Sequence, residues 1–277
     1  MIKLKFSRAH VLAAFVLVLL VAAAPTAQGG IVNFVTNGDF ETLAAGNTLG
    51  SAGGYFCKSG TTCVSNVANW SSICHAGSSC GGGGTPDAIL FANTGGSAFN
   101  GSIGLWAMGT DGLTSGSKVP NSPTGGNFVA FDGDLGYNAS ISQTITGLTP
   151  GATYVLSFWQ GAAQQNGTTG NTTEQWKVTF ANQTQTSTVM NNVSHGWVPW
   201  NQQLMSFTLS AASTGTEVLT FLSQGTPGGE PPVVLLDGIS LIATPEPATF
   251  GLVGLALVAV SLLGRKRAKR ARQNGYA

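Results

Sequence analysis

Residues 140–160 read SISQTITGLTPGATYVLSFWQ, and this stretch decides the fold class. Apolar and polar residues alternate on both sides of a central GLTPG segment, which is the pattern of half-buried β-strands. The segment itself predicts a turn, because Pro150 fixes its own φ and Gly151 accepts a positive φ. The stretch therefore predicts two strands joined by a turn.

The same alternation recurs further along the chain, where turn residues separate the runs. The recurrences lie at residues 176–180, 205–209, 219–221 and 233–242. No helical period of comparable strength competes with them. We therefore expect an all-β, antiparallel, jelly-roll-like β-sandwich over residues 31–243. Residues 45–125 are rich in Gly, Ser, Asn and Thr, and they predict long surface loops within it.

Charge is concentrated at the two ends of the 277-residue chain. Nine of the twelve Lys and Arg residues lie within residues 1–8 and 265–272, which leaves three lysines between them. The three lysines and ten of the eleven acids, all but Glu246, lie in the body over residues 31–243, which therefore carries a formal charge of −7 and has no arginine. Phosphate neutralisation needs clustered cations, so the composition argues against a nucleic-acid partner.

Residues 1–27 are typical of a secretory signal peptide. Lys3, Lys5 and Arg8 precede an apolar run over residues 11–24, and small residues follow up to Ala27. This order of basic, apolar and small residues directs export. The alternative is an uncleaved anchor, although the apolar run is short for the hydrocarbon layer of a bilayer.

The other end of the chain has the opposite order. Residues 248–264 are apolar except for Thr249 and Ser261, and a basic cluster follows at once. The pattern predicts a single transmembrane helix with its basic end in the cytoplasm and the body outside. A buried globular helix is the alternative, but this run offers no polar face to water.

This C-terminal region resembles the PEP-CTERM sorting signal of Gram-negative bacteria. The resemblance covers residues 244–272, and the residues that carry it are Pro245, Glu246, Pro247, Arg265, Lys266 and Arg267. It implies export, tethering of a precursor in the inner membrane, and processing by an exosortase. The protein would then reside in the cell envelope or outside the cell, where many such proteins accompany exopolysaccharide.

The body resembles galactose-binding-like jelly rolls, a fold that includes many carbohydrate-binding modules. The motifs are NGDFE at residues 37–41, GLTPGATYVLSF at 147–158 and LDGISL at 236–241. The resemblance implies that the opening and closing strands are neighbours. It also implies a structural calcium ion held by Asp39, Glu41 and Asp237, since carboxylate oxygens suit calcium. The alternative is that these acids form turns and satisfy backbone groups at strand ends.

The four cysteines are Cys57, Cys63, Cys74 and Cys80. In an exported chain, four cysteines favour two disulfides over a metal site. Three pairings are open. We favour Cys57–Cys63 with Cys74–Cys80, because these bonds close short loops in a region with few apolar residues.

Tryptophans supply the main functional indication. Sugars present apolar C–H faces that stack on indole rings, and neighbouring amides can bond their hydroxyl groups. Trp197 and Trp200 precede Asn201–Gln203, and Trp159 precedes Gln160, so these three are the candidate ligand contacts. The alternative is core packing, which we expect for Trp176.

The acids do not indicate an enzyme. Asp132 and Asp134 are two residues apart on one predicted loop, which favours turn formation or cation binding over a pair that straddles a sugar. Glu174 is isolated and expected to be solvated. The sequence therefore predicts a non-enzymatic, exported protein that binds or organises extracellular polysaccharide. The alternative is a structural surface or biofilm-matrix protein with protein partners.

Overall fold

A computed structural model describes most of the body of the chain. The described residues are 32–45, 54–55, 67–74, 88–91, 99–100, 103–105, 122–165, 167–244, 254 and 257–258. The chain divides into two compact units, Met1–Val32 and Asn33–Ala277, and every described strand lies in the second.

Fourteen β-strands lie within the described residues. They are β1 (Gly54–Tyr55), β2 (Ser71–Cys74), β3 (Ala88–Phe91), β4 (Phe99–Asn100), β5 (Ile103–Gly104), β6 (Phe128–Asp132), β7 (Ala139–Ile145), β8 (Thr153–Gln164), β9 (Thr172–Phe180), β10 (Gln183–Thr186), β11 (Met190–Asn192), β12 (Trp197–Thr208), β13 (Glu217–Thr226) and β14 (Pro232–Ala243).

The strands form two antiparallel sheets and a small hairpin. Sheet 1 has the order β1-β3-β6-β14-β8-β12. Sheet 2 has the order β10-β9-β13-β7-β2, with β11 also paired to β9, and β4 pairs with β5. The predicted all-β, antiparallel architecture is confirmed, and each predicted strand overlaps one of the observed strands.

The two sheets pack face to face through a core of aromatic side chains. Phe158 of sheet 1 meets Phe221 of sheet 2 with ring centroids 5.1 Å apart. Trp176 is fully buried, and its indole Nε1 crosses the core to donate to the carbonyl of Leu235 at 3.0 Å. The expectation that Trp176 is a core residue is confirmed. Because the inner faces meet, the outer faces of the two sheets point in opposite directions.

A second, smaller hydrophobic cluster lies on the outer side of sheet 1. The burial of β8 residues shows where this cluster lies. Buried and half-buried residues alternate up to Gln160, whereas residues 161–164 are all buried, so both faces of the sheet are covered there. The cluster comprises Leu105, Phe128, Ala130, Ala163, Trp197, Val233 and Leu235, with Trp200 packed against it. One half of this face is therefore covered, whereas the other half includes exposed side chains.

The N-terminal segment of the body runs beside the last strand. The N–H of Phe34 donates to the carbonyl of Leu241 at 2.9 Å, and the N–H of Ile239 donates to the carbonyl of Gly38 at 3.0 Å. The two ends of the body are thus neighbours, as the jelly-roll resemblance implied, although residues 33–40 form no strand.

The region of residues 45–125 differs from the expected long loops. It contributes the five short strands β1–β5, and Trp70 within it is buried. The side chains of the four cysteines lie outside the described part, as do nearly all residues of the predicted signal peptide and C-terminal helix. Among the described residues, no helix has the length and apolar character needed to span a bilayer.

Candidate functional site

Trp159 lies on the outer face of sheet 1, at the border of the covered half. Its neighbours across the strands are Gln202 of β12 and Asp237 of β14. Residues directly opposite each other in an antiparallel sheet share a face, so these three side chains form one row. Trp159 is half-buried and Gln202 is exposed.

Small and aliphatic side chains continue this face away from the covered half. Ser157 lies between Leu204 and Ser240 in the next row, and Leu204 is 70% exposed. We call this surface the Trp159 face. Its members are Trp159, Gln202, Leu204, Ser157, Ser240, Val155, Ser206 and Ile242.

The Trp159 ring is fixed against β14 at a glycine. Gly238 has a φ of 58°, and a Cβ there would lie 2.7 Å from Cγ2 of Thr124 and 2.9 Å from Cδ1 of Trp159. A side chain would therefore clash with both and also strain the backbone. Glycine lets the indole and the 122–127 loop close over the strand.

The other two predicted tryptophans lie in the covered half. Trp200 is half-buried, and its ring meets Phe128 at 5.4 Å and Trp197 at 6.0 Å. Trp197 is only 7% exposed, and its Nε1 is buried without a hydrogen-bond partner. Trp197 therefore packs beneath Trp200. Of the three tryptophans predicted to contact a ligand, Trp159 is the one that lies beside the exposed half of the sheet.

Asp237 is beside Trp159 in the same row but is fully buried. The 122–127 loop covers it, and the hydroxyls of Ser122 and Thr124 both donate to its Oδ2. Its other oxygen, Oδ1, is buried without a partner. Burial raises the pKa of Asp237 to about 7, the hydroxyls of Ser122 and Thr124 and the backbone N–H of Gly238 lower it, and the charge of Glu41 raises it.

Glu41 brings a second carboxylate towards this loop. The backbone N–H of Asn127 donates to its Oε1, and a Cβ on Gly126 would clash with the same oxygen. Partial burial raises the pKa of Glu41, the Asn127 hydrogen bond lowers it, and the charge of Asp39 raises it. Asp39 itself is exposed.

The oxygen atoms around Asp237 are of the type that binds a hard cation. Two carboxylates and two hydroxyls supply oxygen atoms, which is the ligand type that calcium prefers, and Oδ1 of Asp237 has no other partner. Within the described residues, however, no three Asp, Glu, His or Cys side chains are grouped closely enough to hold a metal ion. The structure thus brings Glu41 and Asp237 together, and Asp39 does not complete a triad with them.

Asp132 and Asp134 shape a turn. Asp134 accepts the N–H of Gly136 at 2.8 Å and that of Gly229 at 2.7 Å, so each of its oxygens has a backbone donor. Asp132 accepts the N–H of Asp134 at 2.8 Å. These bonds agree with the turn role that the sequence favours.

Glu174 differs from the expected solvated residue. It lies on the inner face of β9 with no exposed surface. Its Oε1 accepts the hydroxyl of Thr172, and its Oε2 has no partner. Burial raises its pKa to about 8, and the Thr172 bond only partly opposes this. The alternation of residues 172–180, with Glu174 in phase with Trp176, was the sequence signal for an inward position.

Sequence reasoning missed several residues of the site. Ser122 and Thr124 lie 115 and 113 residues from Asp237 along the chain. Both are in or next to the weakly periodic region of residues 45–125, so no sequence pattern indicated that they contact Asp237. The outward position of Leu204 could have been predicted from the sequence. In the alternation of residues 201–208, Leu204 falls on the other face of the strand from the apolar Met205 and Phe207.

Solved structures similar to the chain include carbohydrate-binding modules with a β-sandwich fold. One is TmCBM61 in complex with β-1,4-galactotriose, with 16% identity over 77% of this chain and 99% of that chain and a TM-score of 0.38. Another is a CBM4 module, with 16% identity over 56% and 87% and a TM-score of 0.28. An apo cyclase from Fischerella sp. has 15% identity over 78% and 96% and a TM-score of 0.46.

No curated protein matches the chain. Residues 243–267 match the family described as the PEP-CTERM protein-sorting motif, which confirms the predicted resemblance to this sorting signal. The motif implies an exported protein that is processed by an exosortase. The chain therefore carries a PEP-CTERM sorting motif directly behind a two-sheet β-sandwich.

Proposed function

We propose that this protein binds neutral extracellular polysaccharide without cleaving it, and that the Trp159 face is the contact surface. The observation that carries the proposal is the half-buried indole of Trp159, held on an open sheet face beside the exposed Gln202 and Leu204. The indole offers a flat apolar surface for the C–H face of a sugar, and Gln202 offers an amide for its hydroxyls.

The shape of the surface supports an extended ligand. Ser157, Ser240 and Ser206 are small, so the rows beyond Trp159 have little relief between Leu204 and Ile242. Rows on one strand face are about 7 Å apart. The face thus has room for more than one sugar ring beside the indole.

Electrostatics support an uncharged ligand. Among the described residues the one Lys or Arg is Lys177, which belongs to β9 in sheet 2. The body as a whole carries a formal charge of −7, so a polyanion would be repelled. A neutral polysaccharide needs no cationic partner on the face and is not repelled by the negative body.

The sorting motif supports a place for this activity in the cell envelope. The apolar run at residues 248–264 tethers the exported precursor in the inner membrane, and exosortase processing follows. A signal peptide at residues 1–27 starts the export. The sandwich then meets polysaccharide at the cell surface or outside the cell.

Two observations favour binding over hydrolysis. The oxygens of Asp134 are both engaged by backbone N–H groups, and Asp132 accepts one as well. Glu41 and Asp237 are coupled to the 122–127 loop, and Asp237 is fully buried. These four acids are thus engaged in holding the structure.

The proposal is tested with the full-length chain in a detergent that has no sugar head group. Binding to an array of neutral and uronate-containing glycans is compared between the wild type, Trp159→Ala and Trp159→Phe. We expect Trp159→Ala to weaken binding at least tenfold, about 1.4 kcal/mol, and Trp159→Phe to weaken it less. Thr208→Ala, on the same strand face about 20 Å from Gln202, is the matched control.

Two results would count against this proposal. Equal binding by Trp159→Ala and the wild type would show that the Trp159 face is not the contact surface. A wild type that binds no glycan on the array would favour the alternative, a structural matrix protein whose sandwich contacts other proteins.

A further inference from the structure

A separate groove of about 260 Å³ lies on the outer face of sheet 2. Its floor is formed by two cross-strand pairs of β9 and β13, Thr173 with Thr226 and Gln175 with Gln224. Leu135, from the loop before β7, and Val189, from the segment before β11, line the groove as well.

The floor has hydrogen-bonding capacity to spare. The hydroxyls of Thr173 and Thr226 bond each other at 2.7 Å, and Nε2 of Gln175 donates to Oε1 of Gln224 at a long 3.4 Å. These bonds leave Oε1 of Gln175 and Nε2 of Gln224 free for other partners. The groove therefore presents an amide acceptor and an amide donor next to each other, with hydroxyls beyond them.

The two aliphatic side chains supply apolar surface. Leu135 is 67% exposed and Val189 is 48% exposed, so both keep much of their side-chain area in water. A ligand that covers them removes that area from water and gains free energy. The groove thus combines apolar walls with a polar, uncharged floor.

The charges near the groove limit the chemistry of its ligand. Glu174 belongs to the same stretch of β9 but points to the inner side of the sheet and is fully buried. Lys177 shares the outer face two residues beyond Gln175, and none of the described Lys, Arg, Asp and Glu residues lines the groove. A neutral ligand with hydroxyls on one side and C–H groups on the other matches this lining.

We propose that this groove is a second site for a neutral glycan, independent of the Trp159 face. The choice of glycan as the ligand rests on the proposed function. The outer faces of the two sheets point in opposite directions, so one molecule can hold two polysaccharide chains at once. The protein then acts as a cross-linker, and its effect on a polysaccharide gel exceeds what either site achieves alone.

The test separates the two sites with variants of the full-length chain in the same sugar-free detergent. Tetrasaccharides of glucan, galactan, mannan and xylan serve as probes of binding, measured by calorimetry and by NMR shifts of the indole and glutamine side-chain amides. Light scattering with the parent polysaccharides measures cross-linking. The groove variant is Gln175→Ala with Gln224→Ala, and the face variant is Trp159→Ala.

Controls keep the readouts specific. Leu135→Ser is a second groove variant that changes only an exposed wall residue. Val218→Ala is the matched control, because Val218 is 51% exposed on the outer side of the same β13 strand and lies about 20 Å from Gln224. We expect Val218→Ala to behave as the wild type in every assay.

The expected result is two binding events for the wild type, one for each single-site variant, and at least a fivefold loss of scattering in both. If Trp159→Ala abolishes all binding, the second site is overturned and the proposed function stands. If only the groove variants lose binding, the second site stands and the Trp159 face is overturned. A wild type that binds no probe overturns both.

Discussion

Glu174 is an ionisable side chain placed where water cannot reach it. Its fully buried carboxyl has a single hydrogen bond, from Thr172, and no charged partner contributes to its pKa. Transfer of an isolated carboxylate out of water costs several kcal/mol, and the group responds by keeping its proton. The folded protein therefore holds a proton at this position that the unfolded chain releases.

This difference makes stability depend on pH. The pKa of Glu174 is about 8 in the folded state against 4.5 for an ordinary glutamate. The folded state binds more protons between these values, so the free energy of unfolding falls as the pH rises from 4.5 to 8.

We expect Glu174→Gln to remove this dependence. Glutamine cannot ionise, so the variant should match the wild type within about 1 kcal/mol near pH 4.5 and exceed it by up to roughly 4 kcal/mol at pH 8. Urea unfolding followed by tryptophan fluorescence at several pH values measures the difference. Glu217→Gln is the control, since Glu217 is only half-buried and is held by Ser213. A constant difference across the pH range would contradict the prediction.

Three separate segments meet at Asp237. They are the N-terminal segment with Glu41, the 122–127 loop with Ser122 and Thr124, and the part of β14 where pairing with β8 is interrupted after Asp237. A calcium ion among these oxygens would tie the three segments together and would compensate two carboxylates at once.

We expect calcium to raise the melting temperature of the wild type and to have no such effect on Asp237→Asn. A ligand that binds only the folded state stabilises it by about 2.7 kcal/mol at 100 times its dissociation constant. Differential scanning calorimetry with and without calcium measures this, and Asp39→Asn is the control, because Asp39 is exposed and outside the Glu41–Asp237 pair. If calcium does not raise the melting temperature of the wild type, the prediction of a structural calcium ion is wrong.

The hairpin-like stretch at residues 140–160 shows what the sequence could and could not predict. Both strands and the turn between them were predicted, because alternation reports a half-buried strand. The structure places β7 in sheet 2 and β8 in sheet 1, so the turn crosses between the sheets. Alternation carries no information on this point, since the inner residues of both sheets face the same core.

The second half of β8 shows a different limit. Residues 161–164 read GAAQ and are buried on both faces, because the cluster around Phe128 and Trp200 covers the outer side. Small residues that do not alternate with polar ones give no indication of whether a strand is buried on one face or on both. The same cover explains why Trp197 is buried although the amides beside it favoured a ligand contact.

At the scale of the whole molecule, the sorting motif decides where the sandwich ends up. Deletion of residues 245–277 should move the protein from the membrane fraction to the soluble exported fraction, since it removes the matched motif and the apolar run. Cell fractionation with immunoblotting measures this. Deletion of residues 273–277 alone leaves the apolar run and basic cluster intact and is the matched control. Unchanged membrane association after the long deletion would assign the anchor to residues 1–27.

The order in which the chain is synthesised has a consequence for how the sandwich folds. β14 fills the middle of sheet 1, between β6 and β8, yet it is the last of the described strands to be synthesised. Until it arrives, β6 and β8 each lack a partner on one edge, and such open edges recruit other chains. Sheet 1 is therefore completed in one late step, and a chain that ends before residue 232 would have a first sheet that is split between β6 and β8.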